Sequence, residues 1–250
     1  MKISATIQAR MASSRLPGKV LKPILGKPML SLQIERIQQS MLIDEVIIAT
    51  SDSVKDDPIE ALAHRLGVYC FRGSEDDVLS RIVGALKKYK VEIHVEFMGD
   101  NPMPDPLLID AIIGFYLRNA AKYDFVTNGL KTTYPPGAEV YVYPAEVLFD
   151  AEKHATDPAL REHVGLLIYQ HPERYRIYNL EAPPWFYAPD FHLEVDTQED
   201  FEVVSAIYEA LYPGNPGFTL SQVIEFLRKN EALANKNRYV ERRWKVFREE

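Results

Sequence analysis

Apolar positions along the first half of the chain alternate between two rhythms. Ile3 to Ile7 is a short apolar run of strand length. Met29, Leu30, Gln33, Ile34 and Ile37 then fall at helical spacing behind Pro28. Glu45 to Thr50 is again short, apolar and β-branched, the pattern of a buried parallel strand. Asp57-Pro58-Ile59-Glu60 supplies a cap, a proline at the first helical position and an acid three residues after the cap, so a helix should open at Asp57 and stop at Gly67. A third strand is expected at Val68 to Phe71. A helix follows from about Asp76 to Lys90, with Ser74 as its cap, and a fourth strand at Ile93 to Met98. Asp105-Pro106 opens a helix carrying Leu108, Ile109, Ile112, Ile113 and Tyr116, and Asp124 to Thr127 is strand-like.

This rhythm predicts an α/β fold built on a mostly parallel sheet with helices on both faces. In such a sheet ligands bind beyond the carboxyl ends of the strands. The segments from Arg10 onward, Arg72 to Ser74 and Gly99-Asp100 each follow a strand and should therefore converge.

The second half changes character. Thr132 to Gly137 is turn-rich and precedes an alternating strand at Glu139 to Tyr143. Two helices are expected at Ala145 to Ala155 and Asp157 to Tyr169, a strand at Arg174 to Leu180, and an aromatic loop from Pro183 to Pro189. His192 to Asp196 reads as a strand ending in an acid, Thr197 as the cap of a helix to about Leu211, and Thr219 to Gln222 as a capping box. The whole chain, 1–250, is expected to form one domain. Residues 130–190 are read as a small mixed excursion for substrate binding or dimerisation, and residues 231–250 as an exposed or partner-packed helical tail in which Arg242-Arg243 sits beside Trp244.

Composition narrows the class. The hydrophobic and charged fractions, 46% and 26%, are those of an ordinary globule, and the net charge of −7 argues against non-specific nucleic-acid binding. One cysteine, Cys70, in an apolar run allows no internal disulfide. With no secretory or membrane-spanning pattern, a cytoplasmic protein with no membrane insertion is expected.

The candidate chemistry starts in Gln8-Ala9-Arg10-Met11-Ala12-Ser13-Ser14-Arg15-Leu16-Pro17-Gly18-Lys19. Ser13 and Ser14 offer hydroxyls, the Pro17-Gly18 turn lets backbone approach, and Arg10, Arg15 and Lys19 can face phosphates. The spacing matches neither G-x-x-x-x-G-K-[ST] nor G-x-G-x-x-G. Asp100 and Asp196 each end an expected strand. Opposite a cationic loop they suit Mg²⁺, which needs only one or two protein carboxylates. Each has a plainer role too, Asp100 as a turn residue and Asp196 as a helix cap. Glu162-His163 lacks a zinc-ligand spacing and reads as a polar helix face that can touch substrate.

These segments resemble the cytidylyltransferases that activate acidic sugars, the relatives of the CMP-Kdo and CMP-acylneuraminate synthetases, and within them the SpsF-like branch of spore-coat polysaccharide biosynthesis. The resemblance rests on the Gln8–Lys19 block, on Arg72-Gly73-Ser74-Glu75-Asp76-Asp77-Val78-Leu79-Ser80-Arg81, on Gly99-Asp100-Asn101-Pro102, on Arg161-Glu162-His163-Val164 and on Val195-Asp196-Thr197-Gln198-Glu199-Asp200, in the family's order over roughly residues 3 to 205. It implies a Rossmann-like fold of the nucleotide-diphospho-sugar transferase type. It implies CTP and a small acidic sugar as substrates, Mg²⁺ as cofactor, and a homodimer. It further implies Ala9, Arg10, Met11, Ser13, Ser14, Ser74, Arg81 and Asp100 at the nucleotide, Arg15 and Lys19 at the triphosphate, and Asp100 and Asp196 on the metal. Glu139, Glu162 and His163 are left for the acceptor; at Glu139-Val140-Tyr141 the chain departs from the family pattern, with Tyr141 in place of an acid. A nucleotide-sugar-dependent glycosyltransferase and a non-catalytic nucleotide-binding module remain alternatives on such a sheet.

Overall fold

The computed structural model describes residues 1–242. Its centre is a seven-stranded sheet of order β5-β4-β1-β6-β8-β7-β9. The strands are β1 (Ile3–Gln8), β4 (Glu45–Ser51), β5 (Tyr69–Gly73), β6 (Ile93–Met98), β7 (Phe125–Thr127), β8 (Tyr141–Pro144) and β9 (Ile177–Asn179). Between β1 and β4 a separate antiparallel hairpin joins β2 (Pro23–Ile24) to β3 (Lys27–Pro28). Its turn residues Leu25 and Gly26 both have positive φ, the geometry a tight two-residue hairpin requires.

β1, β4, β5 and β6 are mutually parallel, whereas β8 runs antiparallel to both β6 and β7. β7 and β9 are parallel. The predicted mostly parallel α/β sheet is therefore present. The 130–190 excursion contributes β8 and β9 to that same sheet instead of standing as a separate layer.

The helices are α1 (Met29–Ile37), α2 (Asp57–Leu66), α3 (Val78–Tyr89), α4 (Pro106–Asn119), α5 (Ala145–His154), α6 (Pro158–Glu162), α7 (Leu166–Gln170), α8 (Gln198–Leu211), α9 (Leu220–Lys229) and α10 (Glu231–Ala234). Two apolar clusters fill the space between helices and sheet. One gathers α1, α4, α8 and α9 around Ile7, Val95 and Val142; the other gathers α3, α5 and α7 around Ile47, Ala49 and Tyr143. Adjacent residues Ile47 and Ile48 fall in different clusters, as the alternation of side chains across a strand buried on both faces demands.

Several stop and start signals work as read. Gly67 ends α2 in the left-handed conformation, Asp105 caps α4 by accepting from the amides of Leu107 and Leu108, and Thr197 with Asp200 forms a capping box on α8. The Gln222 side chain accepts from the Thr219 amide at 2.9 Å in front of α9.

Others need correction. α3 begins at Val78 and its cap is Asp77, which accepts from the Ser80 amide; Ser74 instead accepts from the Asp77 amide, one turn earlier. Asp57 is already helical, preceded by Asp56, whose carboxylate is engaged elsewhere. The stretch read as one helix from Asp157 to Tyr169 is broken between Glu162 and Leu166, and the strands expected at 139–143 and 174–180 shorten to β8 and β9. His192 to Asp196 forms no strand and joins no sheet among the described residues. It lies along loops instead, the Leu193 amide bonding the Pro136 carbonyl and the Val195 amide the Asp100 carbonyl.

Of the expected tail, only α10 is helical among the described residues, and Arg243 and Trp244 lie outside them. Arg242, expected in an exposed or partner-packed tail, is buried within its own chain. No helix among the described residues is long and apolar enough to cross a membrane.

Candidate active site

Because β1, β4, β5 and β6 point the same way, the loops after Gln8, Ser51, Gly73 and Met98 leave one edge of the sheet together. The loop after β1 folds on the Met11 carbonyl, which accepts from the amides of Ser13 and Gly18 at 3.0 Å each. Gly18 turns the chain with φ of 69°, where a side chain would be strained, and Lys19 follows on a short 3₁₀ turn.

Lys19 is the meeting point. Its Nζ lies 3.1 Å from Asp100 Oδ2, 3.0 Å from Asp196 Oδ1 and 2.6 Å from the Val195 carbonyl. Burial pulls its affinity for the proton down, and the two carboxylates more than offset that, so its pKa ends above the ordinary value. Arg15 closes the set, with Nη2 2.5 Å from Asp196 Oδ2 and Nη1 donating to the Glu241 carbonyl at 2.7 Å.

The position of Asp100 is fixed from outside its loop. Gln33 of α1 donates from Nε2 to the carbonyls of Met98 and Asn101, at 2.8 and 2.9 Å, bracketing the acid. Arg36 of the same helix, packed 4.0 Å over the Phe218 ring, donates to the Pro104 and Phe218 carbonyls. Gly99 has to be glycine on steric grounds: a Cβ there would stand 2.7 Å from the Gln8 carbonyl oxygen.

A second group of cations sits at the adjoining strand ends. Arg81 of α3 is buried and donates from Nη1 to the Ser74 carbonyl at 2.5 Å, while its Nε has no hydrogen-bond partner among the described residues. Burial first, and then the nearby charge of Arg10, lower its pKa. A buried guanidinium with a spare N–H, in the field of a second guanidinium, has the chemistry to take an anion. Ala9 lies buried beneath, its amide on the Ala49 carbonyl. Ser13 accepts from the Leu16 amide, and Ser14 is exposed.

The structure thus brings Arg15, Lys19, Asp100 and Asp196 together, and Arg10, Ser74 and Arg81 together. Arg72 is held instead by Asp57, Glu60 and the Ser51 and Ser53 carbonyls, so it braces β5 against α2. Glu139 is buried behind the site, accepting from the Gly137 amide and from Asn101. Glu162 and His163 are exposed at the end of α6. Their neighbour Arg161 links that end to the start of α3 by its ion pair with Asp77 at 2.7 Å.

Two acids with no functional reading in the sequence hold this arrangement. Asp56, 2% exposed, accepts from the Met11 amide at 2.7 Å and from the Ser51 amide and hydroxyl, stapling the first loop to the end of β4. Its only sequence signal was the doubled acid before Pro58. Asp200, fully buried, accepts from the amides of Asp196 and Thr197. Thr197 is legible in the sequence as the cap of this helix, whereas Asp200 has no role there, and its grip on Asp196 comes from the fold.

A mostly parallel α/β sheet that collects two carboxylates and a set of basic side chains at its C-terminal edge has the arrangement expected of an α/β nucleotidyltransferase. More narrowly, the chain belongs to the cytidylyltransferase family, whose model matches residues 5–245. It is 37% identical over 233 residues to the spore coat polysaccharide biosynthesis protein SpsF of Bacillus subtilis, covering 91% of this chain and 95% of that one. It is 35% identical over 121 residues to the 3-deoxy-manno-octulosonate cytidylyltransferase of Geobacter metallireducens, 48% of this chain and 47% of that one. Among solved structures, a cytidylyltransferase from Leptospira borgpetersenii superposes with a TM-score of 0.90 at 28% identity, covering 97% of this chain and 100% of the other.

Proposed function

We propose that this protein transfers CMP from CTP to an acidic sugar and releases pyrophosphate, in the synthesis of a surface polysaccharide or glycan. The observation that carries the reading is the convergence of Asp100 and Asp196 on one point, where Lys19 Nζ stands within 3.1 Å of both carboxylates. Lys19 Nζ holds that point and Arg15 holds the other Asp196 oxygen, so the two carboxylates suit Mg²⁺, which retains several waters, once these cations turn to phosphate. Asp100 is one-third exposed, leaving room for those waters and for a phosphate oxygen. Asp100 and Asp196 would hold the ion, which when bound neutralises phosphate charge and lowers the pKa of a bound hydroxyl.

The chain's own residues do the rest by positioning. Arg10 and Arg81, with the Ser74 segment, take the nucleotide's phosphates at the β1–β5 side. Lys19 and Arg15 trade part of their bonding to the acids for the leaving pyrophosphate, so negative charge is met without reorganising the backbone. Ala9 and Met11 line the nucleoside side, with Ser13 and Ser14 on the same loop. Glu139, Glu162 and His163 are assigned to the acceptor, the first through Asn101 beside Asp100. The same reading takes the chain as one domain that acts as a homodimer through the 130–190 segment, where Trp185 and Tyr187 are exposed. It is a cytoplasmic protein in this view.

The test is pyrophosphate release with Mg²⁺, each of the four nucleoside triphosphates and a panel of sugar acids. CTP-selective release with an acidic sugar is expected. Release with a different triphosphate, or CTP binding with no turnover on any acceptor, would overturn the assignment.

A further inference from the structure

The C-terminal segment reaches the same constellation from two sides. Arg242 is 4% exposed, and its guanidinium holds Asp200 in a forked pair, Nη1 to Oδ2 at 3.1 Å and Nη2 to Oδ1 at 2.7 Å. Asp200 Oδ2 in turn takes the Asp196 amide at 2.9 Å. One residue earlier, the Glu241 carbonyl holds Arg15, whose other terminal nitrogen meets Asp196. Consecutive residues near the chain's end therefore grip the backbone of Asp196 and the cation facing its side chain. A forked guanidinium–carboxylate pair fixes direction as well as distance, which a lone ammonium does not.

We propose that Arg242 is a positioning residue for Asp196, acting through Asp200, and that the 241–242 segment is the strap that aims this acid at the cation point. The inference rests on the reading of Asp196 as half of a cation-holding pair. Without Arg242, Asp200 keeps a buried charge with its main counter-ion gone, and the turn at Asp196-Thr197, whose amides it holds, shifts. That shift re-aims Asp196 while leaving the sheet, and the basic side chains at its edge, in place.

The probe is Mn²⁺ alone, titrated calorimetrically into the full chain, with thermal unfolding followed in parallel. The variants are R242A, R242K and, as reference, D196A. We expect R242A to weaken Mn²⁺ binding at least tenfold and R242K to fall between it and the parent. Added ethylguanidinium should restore binding to R242A and not to D196A. Wild-type Mn²⁺ affinity in folded R242A and R242K, with D196A impaired, overturns the strap and leaves the acid pair standing. Wild-type affinity in D196A removes the acid pair and the strap with it. Should R242A fail to fold, R242K decides alone, because it keeps the charge and loses only the fork. Pyrophosphate release is measured separately, so that a failure of CMP transfer is distinguishable from a failure of the strap.

Discussion

Lys19 Nζ and Asp196 Oδ1 stand 3.0 Å apart although 177 positions separate them in the chain. The ammonium is mostly buried and shares Asp100 as well, so it marks the point where cationic loop and acids meet. Replacing either acid by alanine should lower turnover by about 10²–10³ or more, the cost of removing one preorganised charge from a transition state. The folded state should lose about 1–3 kcal/mol, because Lys19 keeps its other acid and the Val195 carbonyl. Pyrophosphate release and thermal unfolding of D100A and D196A check both. A folded variant with parental turnover takes that acid out of the mechanism.

Asp56 offers a test of the first loop that touches no proposed catalytic group. D56A frees the Met11 and Ser51 amides at once, so the loop should lose its fixed path. We expect KM for CTP to rise about tenfold with a smaller change in kcat, and stability to drop by about 2–4 kcal/mol, as for a lost buried hydrogen-bonded charge. A parental KM would show that the loop holds its shape without this staple.

Gly99 is a steric test. A methyl group at this position would collide with the Gln8 carbonyl and with Ala9, both backbone-bound to the sheet. G99A should destabilise the protein by about 1–3 kcal/mol, the usual cost of overpacking, and should displace Asp100 with its loop. Chemical denaturation measures the first effect and turnover the second.

Beneath the same edge lies a titratable pair. Burial pushes the Glu96 carboxyl up to about 7, against hydrogen bonds from Tyr143 and Gln8 that favour its charged form, and burial drops the His94 imidazole to about 3. Folded Glu96 binds a proton more tightly than the unfolded chain does, so its contribution is full below about pH 4.5 and is lost as pH rises towards 7. His94 acts in the opposite sense between pH 3 and 6.5, since its folded form is the neutral one. The E96Q variant removes only the first effect. Relative to the parent, its stability should therefore improve as pH rises from 4.5 to 7, by on the order of 1–3 kcal/mol. Denaturant titrations at pH 4.5, 6 and 7.5 measure the difference, and a difference that does not change with pH would place the Glu96 proton elsewhere.

Local signals in the sequence determined the elements and one edge of the site. Apolar β-branched runs specify strands buried on both faces, and Gly67, Asp105 and Thr197 mark helix ends through bonds made within a few residues. The right-handed alternation of strand and helix then places the loops after β1, β5 and β6 at one edge, so the segments from Arg10 onward, Arg72 to Ser74 and Gly99-Asp100 were legible as a group, whereas Arg81 was marked only by the family resemblance. Tertiary structure decided what depends on partners far apart in sequence. It laid His192–Asp196 beside the Asp100 loop and not in the sheet, because the Val195 amide bonds the Asp100 carbonyl across 95 positions. It drew Arg242 inward because Asp200, capping its own helix, is left with a buried charge that only a distant cation can balance. It also folded β8 antiparallel between β6 and β7, making the expected excursion part of the main sheet. Hydrophobic period and capping are properties of a window of residues; the pairing of a buried charge is a property of the whole packed chain.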